Sequence, residues 1–239
     1  MPLEGARSDS QAFSAIPVMV IPVLNRFDLL HATLDSIDYP VDEILIINNS
    51  GENLSSIAFG AMHPDLNIRL LNLPSNLGVA ASWNLGIKLY PHAPFWLIGS
   101  ADTHVNAGAL AYWRPFMGEG SIVHLFGYGV FAIGADIVRQ VGLFDEIYYP
   151  IYFEDWDYQR RIEAAGLTDR IIGQDDNTEH PQWVNDNGAS QTIKSNVEFD
   201  ARNRSSWARN SHSYHRKMES GDWSVQGWNL DIRRQNEWL

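Results

Sequence analysis

The fold is indicated by a stretch near the start of the chain, Val18-Met19-Val20-Ile21-Pro22-Val23, which is followed by Asn25-Arg26. An uninterrupted apolar run rich in β-branched residues is typical of a strand that is buried on both faces of a sheet. The apolar residues after it, Phe27, Leu30 and Leu34, recur at helical spacing and predict an amphipathic helix. A buried strand, a polar turn and a helix therefore follow one another at the start of the chain.

Similar apolar runs recur further along the chain. Buried strands are predicted at residues 43–47, 68–73 and 95–99, and a helix is predicted around residues 80–87. Polar turns follow two of these strands, at residues 48–51 and 100–103. The alternation of strands and helices predicts a mostly parallel sheet with right-handed crossovers. Ligands of such sheets bind at the carboxyl ends of the strands, where these polar turns lie.

The second half of the chain has a different pattern. Short strands are predicted at residues 121–126 and 130–134, and helices at residues 107–116, 135–141 and 199–218. The stretch Phe153-Glu154-Asp155-Trp156-Asp157-Tyr158 begins a further helix, with Tyr158, Ile162 and Ala165 on its apolar face. A helix N-terminus favours negative charge, and carboxylates between aromatic side chains suit a sugar-binding site. The alternative is that Asp155 is only an N-cap residue.

Composition excludes several classes of protein. The chain has 239 residues, a formal net charge of −12 and no cysteine. Disulfides, thiolate metal sites and cysteine nucleophiles are therefore excluded. Without a run of basic residues, nucleic-acid binding is disfavoured. No apolar run approaches 18 residues, and residues 1–15 lack a signal-peptide pattern. We therefore expect a cytoplasmic protein with no transmembrane segment. Peripheral contact with a membrane is an open alternative.

Several segments, in order along residues 17–218, resemble the motifs of glycosyltransferase family 2. They lie at residues 21–26, 46–50, 76–86, 100–102, 141–146, 154–161 and 210–217. The resemblance implies an α/β fold of the GT-A type, with a Rossmann-like, mostly parallel sheet flanked by helices, a smaller acceptor-side β element and C-terminal helices. We expect the domain to occupy residues 16–218, preceded by a polar, flexible lead at residues 1–15 and followed by a Trp-rich tail at residues 219–239. Residues 16–105 would form the nucleotide-binding half of that domain and residues 106–218 the acceptor and catalytic half.

Two positions depart from the family pattern. Asn48 stands where the family usually has an aspartate that bonds the nucleotide base, and an amide can still bond a uracil or thymine edge. The metal motif Asp-x-Asp is reduced to Ser100-Ala101-Asp102, so one carboxylate remains.

The resemblance implies a metal-dependent, inverting transfer of a sugar from a nucleoside-diphosphate sugar to an acceptor hydroxyl. Asp155 would be the general base, and Glu154 would hold acceptor or sugar hydroxyls. Asp102 and His180 would bind the divalent ion, Mn²⁺ or Mg²⁺, which acts as a Lewis acid on the leaving diphosphate. Asp157 and Arg161 are spaced for a structural ion pair on the helix.

The remaining candidate residues divide between donor and acceptor. Tyr149, Tyr152 and Trp156 would stack on a sugar, core packing being the alternative role for each. The candidates for nucleotide-sugar binding are Pro22, Val23, Asn25, Arg26, Asn48, Asn76, Gly78, Asn84, Ser100, Ala101 and Asp102. For Asn84, a packing role on its helix is the alternative.

The identities of the partners stay broad at this level. A UDP-sugar is the preferred donor and a dTDP-sugar the next choice, and the acceptor is a glycan, a lipid-linked sugar, a protein or a small molecule. The tail at residues 219–239 leaves a homodimer open. A non-catalytic nucleotide- or carbohydrate-binding protein on a decayed fold and a scaffold module are the alternatives. A nucleotidyltransferase is disfavoured, because no glycine-rich loop follows the first strand.

Overall fold

The strands of the first half of the chain form the parallel part of the main sheet. The computed structural model describes residues 15–173, 183–185 and 197–225, and all bounds refer to those residues. The first four strands are β1 Met19–Val23, β2 Ile44–Asn48, β3 Ile68–Asn72 and β4 Phe95–Gly99. β1 pairs in parallel with β2 and β4, and β2 pairs in parallel with β3.

The later strands extend this sheet and add a second, smaller one. They are β5 Thr103–Val105, β6 Ile122–Phe126, β7 Val130–Gly134, β8 Ile171–Gly173 and β9 Trp183–Asn185. The main sheet has the order β3-β2-β1-β4-β7-β6-β8, and β5 pairs with β9 in the smaller sheet. Within the described part of the main sheet, β7 alone runs against the other strands, since it is antiparallel to both β4 and β6 while β6 is parallel to β8. The prediction of a mostly parallel sheet is confirmed.

Helices cover both faces of the main sheet. Their bounds are α1 Phe27–Asp35, α2 Ser56–Met62, α3 Val79–Leu89, α4 Ala109–Trp113, α5 Ala135–Val141, α6 Glu154–Ala164 and α7 Val197–Ser220. Leu30 of α1 packs with Ile21 in the core on one face, whereas Ile87 of α3 packs with Val20 in the core on the other. Neighbouring residues of one strand thus belong to different cores, as the unbroken apolar run of β1 requires.

Some elements were not predicted. The helix α2 is short and buries Phe59 but leaves Ile57 84% and Met62 53% exposed, so it has no clear apolar face. The strands β5, β8 and β9 are each three residues long, too short for a periodic pattern. Among the described helices, none is both long enough and apolar enough to cross a membrane.

Candidate active site

A large cavity lies where the parallel strands end. Its volume is about 730 Å³, and the segments after β1, β2 and β4 form one wall. Residues 149–151 and one face of α7 complete the lining. Of the predicted site residues, the following line this cavity: Pro22, Val23, Asn25, Arg26, Asn76, Gly78, Ser100, Ala101, Asp102 and Tyr149. Carboxyl strand ends that are far apart in sequence therefore meet at one ligand-sized space.

The turn after β4 holds Asp102 at the cavity wall. The Ser100 hydroxyl donates to the Asp102 carboxylate, and the Ser100 amide donates to the Gly129 carbonyl at 2.9 Å. From α1, the Thr33 hydroxyl lies 3.0 Å from the carbonyl of Ala101. Asp102 is 8% exposed. Its carboxylate is thus held in a defined position, as a single metal ligand or phosphate-facing acid requires.

Arg26 stands at the end of β1 with a positive φ of 55°. Its guanidinium forms two bonds with the Asp28 carboxylate, at 2.8 and 2.7 Å. The bond to Asp28 raises the pKa of Arg26, and the nearby charge of Asp102 raises it further. Arg26 is therefore oriented by Asp28 at the edge of the cavity, close to Asp102.

The turn before α3 is positioned by an asparagine that sequence reasoning did not select. Asn49 lines the cavity, and its side-chain oxygen accepts from the Leu77 amide at 2.9 Å. Its amide nitrogen donates to the Ser82 hydroxyl at 3.0 Å. Asn76 closes the same turn by accepting from the Gly78 amide at 2.8 Å. The sequence did not distinguish Asn49 from the adjacent Asn48, because both residues belong to the same polar segment.

Two predicted nucleotide-binding residues do not line the cavity. Asn48 is fully buried, and its amide nitrogen donates to the Glu52 carbonyl and to the Asn72 side-chain oxygen, both at 2.8 Å. Asn84 is 1% exposed and exchanges bonds of 2.9 Å with the backbone of Phe144. Both amides are engaged by hydrogen bonds within the protein itself.

The carboxylates of the acidic helix occupy its first turn, as predicted. Glu154 is 4% exposed, and its Oε2 has no hydrogen-bond partner among the described residues. Burial, with a further contribution from Asp155, raises the pKa of Glu154 to about 8. Burial also raises the pKa of Asp155, which is half-buried. Neither carboxyl lines the cavity. Asp155 is the more accessible of the two, and a raised pKa makes its carboxylate a better proton acceptor.

The turn between β6 and β7 contacts both the Ser100–Asp102 segment and α6. The carbonyl of Gly129 in this turn accepts from the Ser100 amide. The hydroxyl of Tyr128, also in this turn, donates to Gln159 of α6 at 3.4 Å. Burial raises the pKa of Tyr128, with smaller contributions from Tyr158 and Asp155. The same turn thus contacts the Ser100–Asp102 segment on one side and the acidic helix on the other.

The ion pair predicted between Asp157 and Arg161 is present. Arg161 Nε lies 2.8 Å from the Asp157 carboxylate, and Asp157 is fully buried. Lys217 of α7 extends the pair into a network, with Nζ 2.7 Å from Asp157 and 2.6 Å from Asp145. A buried charge without its partner is costly, so this network fixes α7 against α6.

The loop before α6 is strained and is held by α7. Tyr152 and Phe153 both have positive φ, at 82° and 75°. Such backbone costs on the order of 1 kcal/mol or more for each non-glycine residue. Asn210 of α7 donates to the carbonyls of Ile151 at 2.9 Å and Tyr152 at 3.2 Å. Contacts from α7 therefore set the direction in which the chain enters the acidic helix.

The predicted stacking residues divide between two places. Tyr149 is 46% exposed at the cavity, whereas Tyr152 and Trp156 belong to an aromatic cluster beside Asp155. Trp207 of α7 joins that cluster, with its ring 5.2 Å from Tyr152 and 6.3 Å from Trp156. Trp156 and Trp207 are 51% and 49% exposed, so these two rings offer apolar surface next to a candidate base.

One predicted metal ligand cannot be placed. His180 lies outside the described residues. Within the described ranges, no group of three histidine or acidic side chains could hold a metal ion. Asp102 fits as one oxygen ligand, and donor phosphates themselves supply further oxygens to such an ion. The lead at residues 1–14 and the tail beyond residue 225 also lie outside the described ranges.

A family match covers the first part of the chain. Residues 18–98 match the family model described as Glycosyl transferase family 2. This segment contains β1 to β4 and ends just before the Ser100–Asp102 turn. The resemblance that the sequence motifs indicate is confirmed over these residues. No curated protein matches the chain significantly in sequence.

Solved structures match a larger part of the chain. The crystal structure of S. aureus TarS superposes with a TM-score of 0.54 at 14% identity, over 68% of this chain and 36% of that chain. S. aureus TarS 1-349 in complex with UDP-GlcNAc gives a TM-score of 0.52 at 14% identity, over 68% of this chain and 57% of that chain. The complex of TarS 1-349 with UDP gives a TM-score of 0.52 at 15% identity, over 68% of this chain and 59% of that chain. This chain thus spans less than two thirds of each of these structures. The similarity shows the GT-A fold, as predicted.

Proposed function

We propose that this chain, whose residues 18–98 match glycosyl transferase family 2, transfers a sugar from a nucleoside-diphosphate sugar to an acceptor hydroxyl. The observation that carries the proposal is the cavity of about 730 Å³ at the ends of β1, β2 and β4, with Asp102 on its wall. A space of this size suits a nucleotide sugar. A non-catalytic binder on the same fold is the alternative, favoured by Ser100 in place of the first motif aspartate.

The donor is proposed to be a UDP-sugar, with a dTDP-sugar as the second choice. Pro22, Val23 and Asn25 at the end of β1 would contact the base, and Asn49 would take the place first given to Asn48. Support for uridine comes from S. aureus TarS 1-349, a structure of similar fold that is known with UDP and with UDP-GlcNAc.

Asp102 and His180 would hold a divalent ion, Mn²⁺ or Mg²⁺. When bound, the ion would stabilise the negative charge that builds on the leaving diphosphate. The Ser100 hydroxyl donates a hydrogen bond that orients the Asp102 carboxylate. At the first position of the motif, a hydroxyl that positions Asp102 thus takes the place of a carboxylate.

Asp155 is proposed as the base that takes the proton from the attacking acceptor hydroxyl. Its raised pKa and its partial burial favour proton uptake, and a direct attack would invert the anomeric configuration. Glu154, whose pKa of about 8 keeps it mainly protonated at neutral pH, would donate to Asp155 or to an acceptor oxygen after a small rearrangement. Trp156 and Tyr152 would bound the acceptor, which remains a glycan, a lipid-linked sugar, a protein or a small molecule.

Calorimetric titration of UDP, dTDP, GDP and ADP, with Mn²⁺ and with chelator, tests the donor site. We expect UDP to bind most tightly, and we expect binding to weaken at least tenfold with chelator and in Asp102→Asn, since one charge-assisted ligand is lost. Asp169→Asn, on an exposed turn remote from the cavity, is the matched control. If no nucleoside diphosphate binds under either condition, the proposed donor site is wrong.

A further inference from the structure

Arginine side chains line part of the cavity in a strongly acidic protein. The chain has a formal net charge of −12, yet Arg202 and Arg209 of α7 line the cavity together with Arg26. Arginine is usually placed where a planar, doubly bonded anion is recognised. An acidic protein repels anions at long range, so an anionic ligand needs local positive charge of this kind.

Helical spacing explains why both arginines face the cavity. Arg202, Ser206 and Arg209 are related as i, i+4 and i+7, so they share one face of α7. The two arginines are two turns apart, which is roughly 10 Å along the helix axis. The neighbouring face is fixed by Asn210, which bonds the loop before α6, and by Lys217, which bonds Asp145. With that face anchored, the arginine face cannot turn away from the cavity.

Arg209 is held at the cavity by backbone. Its Nη2 donates to the carbonyl of Tyr149, a residue of the facing loop. Across the described residues, no carboxylate lies within ion-pair distance of Arg209. Arg204 of the same helix differs, since it pairs with Asp200 and does not line the cavity. The positive charge of Arg209 is therefore oriented toward the cavity without being neutralised by a described acidic side chain.

We propose that Arg202 and Arg209 form a phosphate-binding subsite on α7, outside the segment that matches the family. The inference rests on the proposed function and extends it by naming a second source of positive charge in the donor cavity. Guanidinium groups bind phosphate oxygens through two parallel bonds, which fixes the phosphate in orientation. The phosphate is that of the donor diphosphate or one carried by the acceptor, and the two arginines recognise the same chemistry in either case. With one carboxylate left in the Ser100-Ala101-Asp102 motif, these two residues add charge stabilisation that does not depend on Asp102.

Calorimetry with probes of increasing phosphate content tests the subsite. Uridine, UMP, UDP and inorganic pyrophosphate are titrated into the wild type, Arg202→Gln, Arg209→Gln and the double variant. We expect pyrophosphate binding to weaken about tenfold for each arginine removed, because each loses a charge-assisted bond, while uridine binding stays unchanged. Arg204→Gln, which removes the same charge from the solvent-exposed face of α7, is expected to leave all four affinities unchanged.

The probes separate the outcomes. If UDP weakens together with pyrophosphate, the subsite binds the donor diphosphate; if pyrophosphate alone weakens, the subsite binds a phosphate of the acceptor. Arginine-dependent pyrophosphate binding without any uridine or UDP binding would keep the subsite while contradicting the proposed function. Equal losses for uridine and UDP, unchanged affinities in the double variant, or a wild type that does not bind pyrophosphate would each overturn the inference.

Discussion

A β-carbon placed on Gly78 would lie 2.9 Å from the carbonyl oxygen of Pro150. Both residues line the cavity, and the amide of Val79 donates to the same carbonyl at 2.8 Å. Gly78 has φ 85° and ψ 170°, a combination that is essentially restricted to glycine. Glycine at this position thus permits the loop that carries Tyr149 to close against the turn before α3.

Gly78→Ala is expected to lower the free energy of unfolding by about 1–3 kcal/mol, because the new methyl group strains the backbone and displaces the loop at residues 149–150. UDP affinity should fall as well, since both segments line the cavity. Thermal unfolding and calorimetry measure the two effects. Gly60→Ala, in α2, has no atom within 4 Å of the added carbon and should stabilise that helix slightly. If the stability of Gly78→Ala equals that of the wild type, the loop at residues 149–150 does not pack against residue 78.

Restoring the family's aspartate at position 48 is expected to be harmful. In Asn48→Asp, a carboxylate would face the Glu52 carbonyl and the Asn72 side-chain oxygen, two acceptors that now receive bonds. We expect a loss of about 1–3 kcal/mol of stability at pH 7, shown by chemical denaturation. Asn106→Asp makes the same charge change at a half-buried site outside the cavity.

The affinity of the folded Asn48→Asp variant for UDP should stay near that of the wild type, because residue 48 does not line the cavity. Tighter UDP binding without loss of stability would instead support the direct contact between residue 48 and the base that the sequence suggests.

Stability should depend on pH through Glu154. The pKa of this carboxyl is about 8 in the folded chain, against an ordinary value of 4.5, so the folded state holds the proton more tightly than the unfolded state does. The stability that Glu154 contributes is therefore fully present below the unfolded pKa. It decreases as pH rises from about 4.5 to about 8 and does not change further above pH 8.

Glu154→Gln should remove this dependence, because the amide carries no ionisable proton. The stability of the variant relative to the wild type should increase between pH 5 and pH 8, by up to about 1.4 kcal/mol for each unit that separates the two pKa values. Thermal unfolding at a series of pH values measures the difference, with Glu52→Gln at an exposed turn as the control. A constant difference across this range would show that Glu154 titrates normally.

The sequence was sufficient for the sheet and for much of the cavity. The apolar run of β1 and the polar turn at Ser100–Asp102 predict a parallel sheet with a site at its carboxyl edge, because period and polarity are local properties. The helical spacing of Tyr158 and Ile162 also identifies the buried face of α6, where both residues are fully buried. Ala165, the third residue of that pattern, lies beyond the end of α6 and is exposed.

Residues whose roles depend on distant partners were harder to predict. Asn48 and Asn49 are adjacent and chemically identical, and only packing decides which one bonds Asn72 and which one faces the cavity. Arg202 and Arg209 carry a helical spacing that was visible in the sequence, but the cavity that they face is formed by residues more than 50 positions away. The burial of Glu154 likewise follows from tertiary packing rather than from the acidic stretch itself.

The most direct test of the proposed reaction is release of the nucleoside diphosphate from a panel of nucleotide sugars, with and without candidate acceptors, measured with Mn²⁺, with Mg²⁺ and with chelator. We predict metal-dependent release of UDP from one UDP-sugar by the wild type, at least a hundredfold slower acceptor-dependent release in Asp155→Asn, and wild-type rates in Asp169→Asn. If no nucleotide sugar on the panel releases its nucleoside diphosphate although UDP binds the cavity, the catalytic account is wrong and the chain is a binding protein on a transferase fold.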